Sequence, residues 1–151
     1  MVKERESKKF LKKRAPFYLA GVTILIVFVV PGILAVELED IIPETLNPDE
    51  TRILQSLFDY TGPNDTGINV YEAISERIAD QYPDGNVYEH RSTTLHVIVT
   101  DTGGGLYRIV LDFESYNGEL YFDMNINVTD EGVSGNNNLS KDIVDLVYYY
   151  D

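Results

Sequence analysis

From Ala15 to Val36 the chain runs for 22 residues without a charged side chain, and no other stretch limits its folding so strongly. As a helix rising 1.5 Å per residue it would extend roughly 33 Å, close to the ~30 Å of a bilayer's hydrocarbon core. Thirteen of these residues are Leu, Ile, Phe or Val. At roughly 0.3 to 0.6 kcal/mol each near mid-span, they favour insertion by about 4 to 8 kcal/mol. A helix buried in a soluble core would keep some polar face over this length, and this run has none. Pro31 and Gly32 sit near its outer end, and Phe17 and Tyr18 lie where aromatic residues mark the inner interface.

The flanks give the run a direction. Residues 1–14 carry seven bases (Lys3, Arg5, Lys8, Lys9, Lys12, Lys13, Arg14) against Glu4 and Glu6, a net +5, whereas Glu37, Glu39 and Asp40 follow immediately after the run. Basic residues beside a span are retained on the cytoplasmic side. The pattern therefore predicts a basic cytoplasmic head over 1–14, a single transmembrane helix over 15–36 acting as a signal anchor in membrane lipid, a juxtamembrane linker over 37–46, and an acidic domain over 47–151 outside the membrane. The ten-residue linker would reach at most ~36 Å and hold the domain near the surface.

Two other readings of the run remain open. In the first it is a secretory signal cut after Ala35, since Pro31-Gly32 followed by Ile33-Leu34-Ala35 resembles the approach to a cleavage site. Against this, Ile33 stands where a small residue belongs, and the run exceeds the usual ~7 to 15 apolar residues. In the second, Arg14-Ala15 is a prepilin-like processing site. Pro16 would then begin the mature chain, and the apolar helix would pack into a surface filament. All three readings export the remainder.

That remainder inverts the charge. With −13 over the whole chain and +5 in the head, residues 37–151 carry −18, and Lys141 is their only lysine. Such a surface repels nucleic acid and anionic lipid and attracts cations and basic proteins. Salt outside the cell would relieve the self-repulsion. Cysteine is absent, so an exported domain must rest on its own hydrophobic core rather than on disulfides, and this length suffices for one. Three sequons, at Asn64, Asn127 and Asn138, would face a glycosylation machinery where one exists.

The expected fold class is α+β, two or three helices packed on a three- to four-stranded antiparallel sheet. Asn47-Pro48-Asp49-Glu50 combines a cap, a first-turn proline and acids that suit the helix dipole, predicting a helix from Pro48 to about Tyr60 with Ile53, Leu54, Leu57 and Phe58 buried. Asn69 and Glu72 form a capping-box pattern ahead of Val70, Ile74, Ile78 and Tyr82. Asn117-Gly118, between two alternating runs, predicts a hairpin. Pairing Tyr116 with Glu119 sets Phe113 opposite Phe122, Leu111 opposite Met124 and Ile109 opposite Ile126, an apolar face throughout. A preceding strand, about Ser92 to Thr100, extends that face if Val99 lies opposite Tyr107. Residues 86–90 either begin this strand or make a fourth. The last segment, from a Ser140 cap with Leu139 as staple, reads as a short helix, although Val144, Leu146, Tyr148 and Tyr150 also alternate as a strand would.

The same register brings Asp112 directly opposite Asp123 on the other face of the sheet. Like charges there are destabilising unless a hard cation such as calcium bridges them, which makes the two aspartates a candidate cation site. They are equally satisfied as solvated carboxylates, and no Asp-x-Asp-x-Asp-Gly loop supports calcium independently. His90 and His96 are too far apart along a continuous strand to share a metal. Gly103-Gly104-Gly105 lacks the lysine and helix of a phosphate loop, and no serine lies in a Gly-x-Ser-x-Gly elbow. A non-catalytic role is expected. Tyr148, Tyr149 and Tyr150 are the candidate interface, since consecutive tyrosines cannot all be buried in one small domain and tyrosine suits interfaces. The function expected is a tethered binding or accessory module for a protein partner in the envelope, with a surface-filament element or a secreted domain as the alternatives.

Overall fold

The computed structural model describes residues 35–151. The basic head and nearly all of the apolar run lie outside the described residues, and with them the transmembrane, cleaved-signal and filament readings. Among the described residues no helix is long and apolar enough to cross a membrane.

The described residues form two helices, a four-stranded antiparallel meander and a third helix, in that order. Helix α1 spans Pro48–Phe58 and α2 spans Val70–Gln81. Strands β1 (Thr94–Gly103), β2 (Leu106–Ser115), β3 (Gly118–Asn127) and β4 (Gly132–Gly135) pair in sequence order, and α3 (Asn138–Tyr150) closes the fold. The α+β expectation holds at this level.

Both predicted helix starts form by the expected chemistry. Asn47 Oδ1 accepts from the backbone N–H groups of Asp49 and Glu50 at 3.0 and 2.9 Å, and Glu50 accepts in return from Asn47 N–H at 2.9 Å. Asn69 and Glu72 repeat this reciprocal pair at the head of α2. Each satisfies donors that a helix cannot satisfy internally. The apolar stripes of α1 and α2, together with Ile143, Val144 and Val147 of α3, bury against Ile109, Leu111, Phe113, Phe122 and Met124 on one face of the sheet. Tyr82 joins this core, its ring edge-on to Phe113 and its hydroxyl donating to Gly118 O at 2.6 Å.

The strand register differs from the expected one by two residues. Phe113 lies opposite Leu120, Leu111 opposite Phe122 and Ile109 opposite Met124, and on the other side Val99 lies opposite Ile109. A two-residue turn at Asn117-Gly118 of the favoured hairpin type needs positive φ at both positions. Gly118 has φ +102, but Asn117 is not among the positive-φ residues. The turn therefore falls on Tyr116-Asn117 and closes on the Ser115–Gly118 pair. Helix α2 and the following 3-10 turn (Val87–Glu89) hold it there: Tyr116 stacks against Tyr82 and His90, and Gln81 and Asn117 exchange side chain to backbone hydrogen bonds.

Four other expectations are corrected. Residues 86–90 form that 3-10 turn rather than a strand, so His90 and His96 do not share a continuous strand, and the fourth strand is β4. The cap of α3 is Asn137, which accepts from Ser140 N–H at 2.7 Å; Ser140 itself is fully buried and its Oγ accepts from Asp123 N–H. A Cβ on Gly135 would overlap the backbone of Ser140 and Lys141, so β4 and the first turn of α3 meet with no side chain between them. Finally, the 37–46 stretch is packed rather than free. Leu38 is buried at 1% exposure, Ile41, Ile42 and Leu46 lie against the core, and Val36 O accepts from the Asn86 side chain at 2.9 Å.

Candidate functional site

The helices cover one face of the sheet and leave the other open. On the open face the observed register makes rows of Thr94, Glu114 and Glu119, of His96, Asp112 and Tyr121, of Ile98, Val110 and Asp123, and of Thr100, Arg108 and Asn125. Asp112 therefore faces Tyr121, and Asp123 faces Val110. The direct opposition of the two aspartates, which motivated a bridging cation, is absent.

Asp123 has a different partner. Only 7% exposed, it receives Arg108 Nε on one oxygen at 2.9 Å and Nη2 on the other at 2.6 Å, with Asn136 Nδ2 adding a third bond at 2.8 Å. The Arg108 bonds hold its carboxyl below the ordinary value against the opposing effect of burial, and Asn136 adds to the lowering. Arg108 is correspondingly raised by Asp123. A bidentate arginine fork of this kind fixes geometry as well as charge. Among the described residues no group of three or more His, Cys, Asp or Glu is placed to hold a metal ion. His96, Ile98, Arg108, Asp112 and Tyr121 bound a shallow depression of about 260 Å³ on this face.

A second candidate lies at the end of α3. Tyr149 is 81% exposed and stacks edge-on with Tyr150, which is also exposed, their centroids 5.1 Å apart. Tyr148 turns the other way, its hydroxyl accepting from Tyr60 at 3.1 Å. Burial, and then the hydrogen bond to Tyr148, push the Tyr60 phenol up. Beside them opens a cleft of about 580 Å³ whose walls carry Asp59, Asp65, Asp130 and Glu131 as well as Tyr60 and Tyr148. The cleft is suited to basic groups, and the two outward tyrosines lie at the end of the helix that helps to form it.

Asp151 fastens this end of the helix to the loop between α1 and α2. Its side chain accepts from the backbone N–H and the amide of Asn64 and from Thr66 N–H, at 2.9 to 3.2 Å. Burial works against ionisation there, but the Asn64 and Thr66 donors outweigh it and hold the carboxyl below its ordinary value. Gly67, at φ +78, lies where a Cβ would strike the Tyr150 carbonyl, so the loop can come this close only with glycine.

The sequons differ in setting. The Asn64 amide is engaged by Asp151, and the Asn127 side chain caps its own turn, accepting from Thr129 N–H and donating to Asp130. Asn138 is exposed, but the serine that completes its sequon is Ser140, buried under β3. Sequence reasoning missed Arg108 and Asn136. The available signal was that residues 37–151 hold only four arginines, one of them in the middle of a strand. Searches with the chain match no protein-family model, no curated protein and no solved structure.

Proposed function

We propose that this chain is a single-pass membrane protein, N-terminus in the cytoplasm, whose acidic domain outside the membrane is a non-catalytic binding or accessory module for a basic surface on an envelope or membrane protein. The observation that carries this reading is the tyrosine and acid face at the end of α3. A cleft walled by Tyr60 and Tyr148 bears four carboxylates, and the next two residues of the same helix end, Tyr149 and Tyr150, expose their rings, the composition by which one protein surface engages another of opposite charge. Tethering is supported by the apolar run and its basic and acidic flanks.

The test is purification of the full-length protein from native membranes in mild detergent, with identification of what accompanies it and of the mature N-terminus. The expected result is an uncleaved chain in the membrane fraction that brings down an envelope protein, and loss of that protein with the Tyr149→Ser/Tyr150→Ser double variant. Retention of the partner by the double variant removes this face from the proposal. A chain starting at Pro16 would point to the filament reading, and one starting at Val36 to a secreted domain.

A further inference from the structure

The two edges of the sheet are finished differently. β4 is four residues long and the first turn of α3 lies directly on it. β1 is ten residues long, and its register against β2 runs unbroken from Thr94 to Asp101. Proteins protect such an edge with proline, charged side chains or a bulge. Thr94 to Thr100, the sequence TLHVIVT, has no proline, no lysine, arginine, aspartate or glutamate, and its pairing irregularity comes only after Asp101. Among the described residues, no side chain and no backbone group from outside the sheet bonds to the backbone of Thr94–Thr100. Apolar surface is uncovered on both sides of this edge: Ile98 is 59% exposed on the open face, and Val97 and Val99 are only half-buried on the helix-covered face.

We propose that a second copy of this chain docks here, β1 against β1 in antiparallel register about a two-fold axis at Val97, joining the two meanders into one eight-stranded sheet. Charge and pattern select this occupant. Two domains of −18 repel one another over most of their surfaces, whereas Thr94–Thr100 itself carries no acid, the carboxylates beside it being Asp49 and Glu50 of α1 at the Val99 end. The ends of the strand carry opposite signs, with Arg91 before it and Asp101 at its close. Antiparallel pairing sets each Arg91 near the other copy's Asp101, whereas parallel pairing would set like against like.

An axis at Val97 also places Val97 opposite Val97 and Leu95 opposite Val99 on the helix-covered face, and Ile98 opposite His96 on the other. Moving the axis by one residue puts Leu95 against Asp101 or Val99 against Thr93. Seven paired residues, roughly 23 Å of strand, make a small interface in the range of weak or transient association. This surface is separate from the tyrosine and acid face, so partner binding and self-pairing can fail independently.

The absence of cysteine makes the test direct. Full-length Val97→Cys in native membranes should give a disulfide-linked dimer on mild oxidation, because directly opposed residues of antiparallel strands have Cα atoms about 4.5 to 5.5 Å apart, within disulfide reach. Ser134→Cys, on β4, should not. In detergent the wild type should show dimer by light scattering, and Ile98→Lys, at an exposed position with no core contact to lose, should weaken dimerisation at least about tenfold while the thermal midpoint measured at dilutions where both proteins are monomeric is unchanged. The proposal is overturned if the wild type is monomeric, if Ile98→Lys dimerises as well as the wild type, or if Val97→Cys crosslinks only to a different protein, which would assign the edge to a foreign strand.

Discussion

The two faces of the sheet respond in opposite ways to the same error in register. On the helix-covered face, sliding β2 and β3 by two residues exchanges one apolar partner for another, since Phe113, Leu111 and Ile109 meet Leu120, Phe122 and Met124 instead of Phe122, Met124 and Ile126. On the open face the same slide decides whether Asp123 meets an acid or a valine, and whether Arg108 is within reach of it. Side-chain direction repeats every two residues, so hydrophobic pattern excludes a one-residue slip but is nearly blind to a two-residue one. The covered face is therefore defined by composition, and the open face by register.

The covered face should show the largest effect. Phe122 is fully buried among the sheet's core residues, and Phe122→Ala should cost about 3 to 5 kcal/mol in chemical denaturation, from lost transfer energy and the cavity left behind. A loss under about 1 kcal/mol would mean that this face repacks freely and that its composition matters less than argued.

How far the sequence could be read follows the same division. The starts of α1 and α2 were legible because cap, proline and N3 acid are local and act within one turn. The four buried residues of α1 and the face carried by each long strand were legible from periodicity. Other features depended on contacts distant in sequence. β4 offers only Val133 as a core residue and has no period to detect; it forms because β3 has an edge to fill. Ser140 has the chemistry of a cap, but the packing of β4 buries it and Asn137 takes the role. The packing of Leu38, Ile41, Ile42 and Leu46 was hidden in a stretch too short for a pattern. The ion pair of Arg108 and Asp123 was hidden by the register itself, because the turn position is decided by Tyr82, Gln81 and His90 rather than by Asn117-Gly118 alone.

The open face should give intermediate effects that depend on register. Arg108→Ala leaves a mostly buried carboxylate with Asn136 as its remaining side-chain donor, and should cost about 1.5 to 3 kcal/mol, the range for hydrogen bonds to charged groups. The reverse change, Asp123→Ala, should cost less, because Arg108 is half-exposed and can turn to water. The double variant should fall short of the sum of the two, since it removes a coupled pair; strict additivity would mean that the two side chains do not interact.

The pair also gives a pH signature. Asp123 is depressed from 3.8 in the folded state, so its contribution is fully present above the ordinary carboxylate range and is lost as pH falls through the depressed folded value. Acid titrations of stability should therefore show a shallower loss in Arg108→Ala than in the wild type, because the variant has already lost the interaction that lowers the carboxyl. Parallel acid limbs in the two proteins would place the pH dependence in other groups, with Asp151 the first to examine.

The smallest effect is expected at Asp112, and it separates the observed register from the one in which two aspartates oppose each other. Facing Tyr121 and partly exposed, Asp112 makes no ion pair among the described residues. Asp112→Asn should change stability by no more than about 0.5 kcal/mol, as for a surface substitution without a special partner. Under the opposed-aspartate register the same change would relieve a like-charge contact, stabilising the protein in chelator and abolishing a calcium-induced rise in the melting midpoint. With Asp123 already neutralised by Arg108, wild-type melts in calcium and in chelator should coincide, and Asp112→Asn should track the wild type in both. A midpoint that rises with calcium in the wild type and not in Asp112→Asn would show that the open face gathers its carboxylates around a cation, and would overturn the ion pair as the feature that organises it.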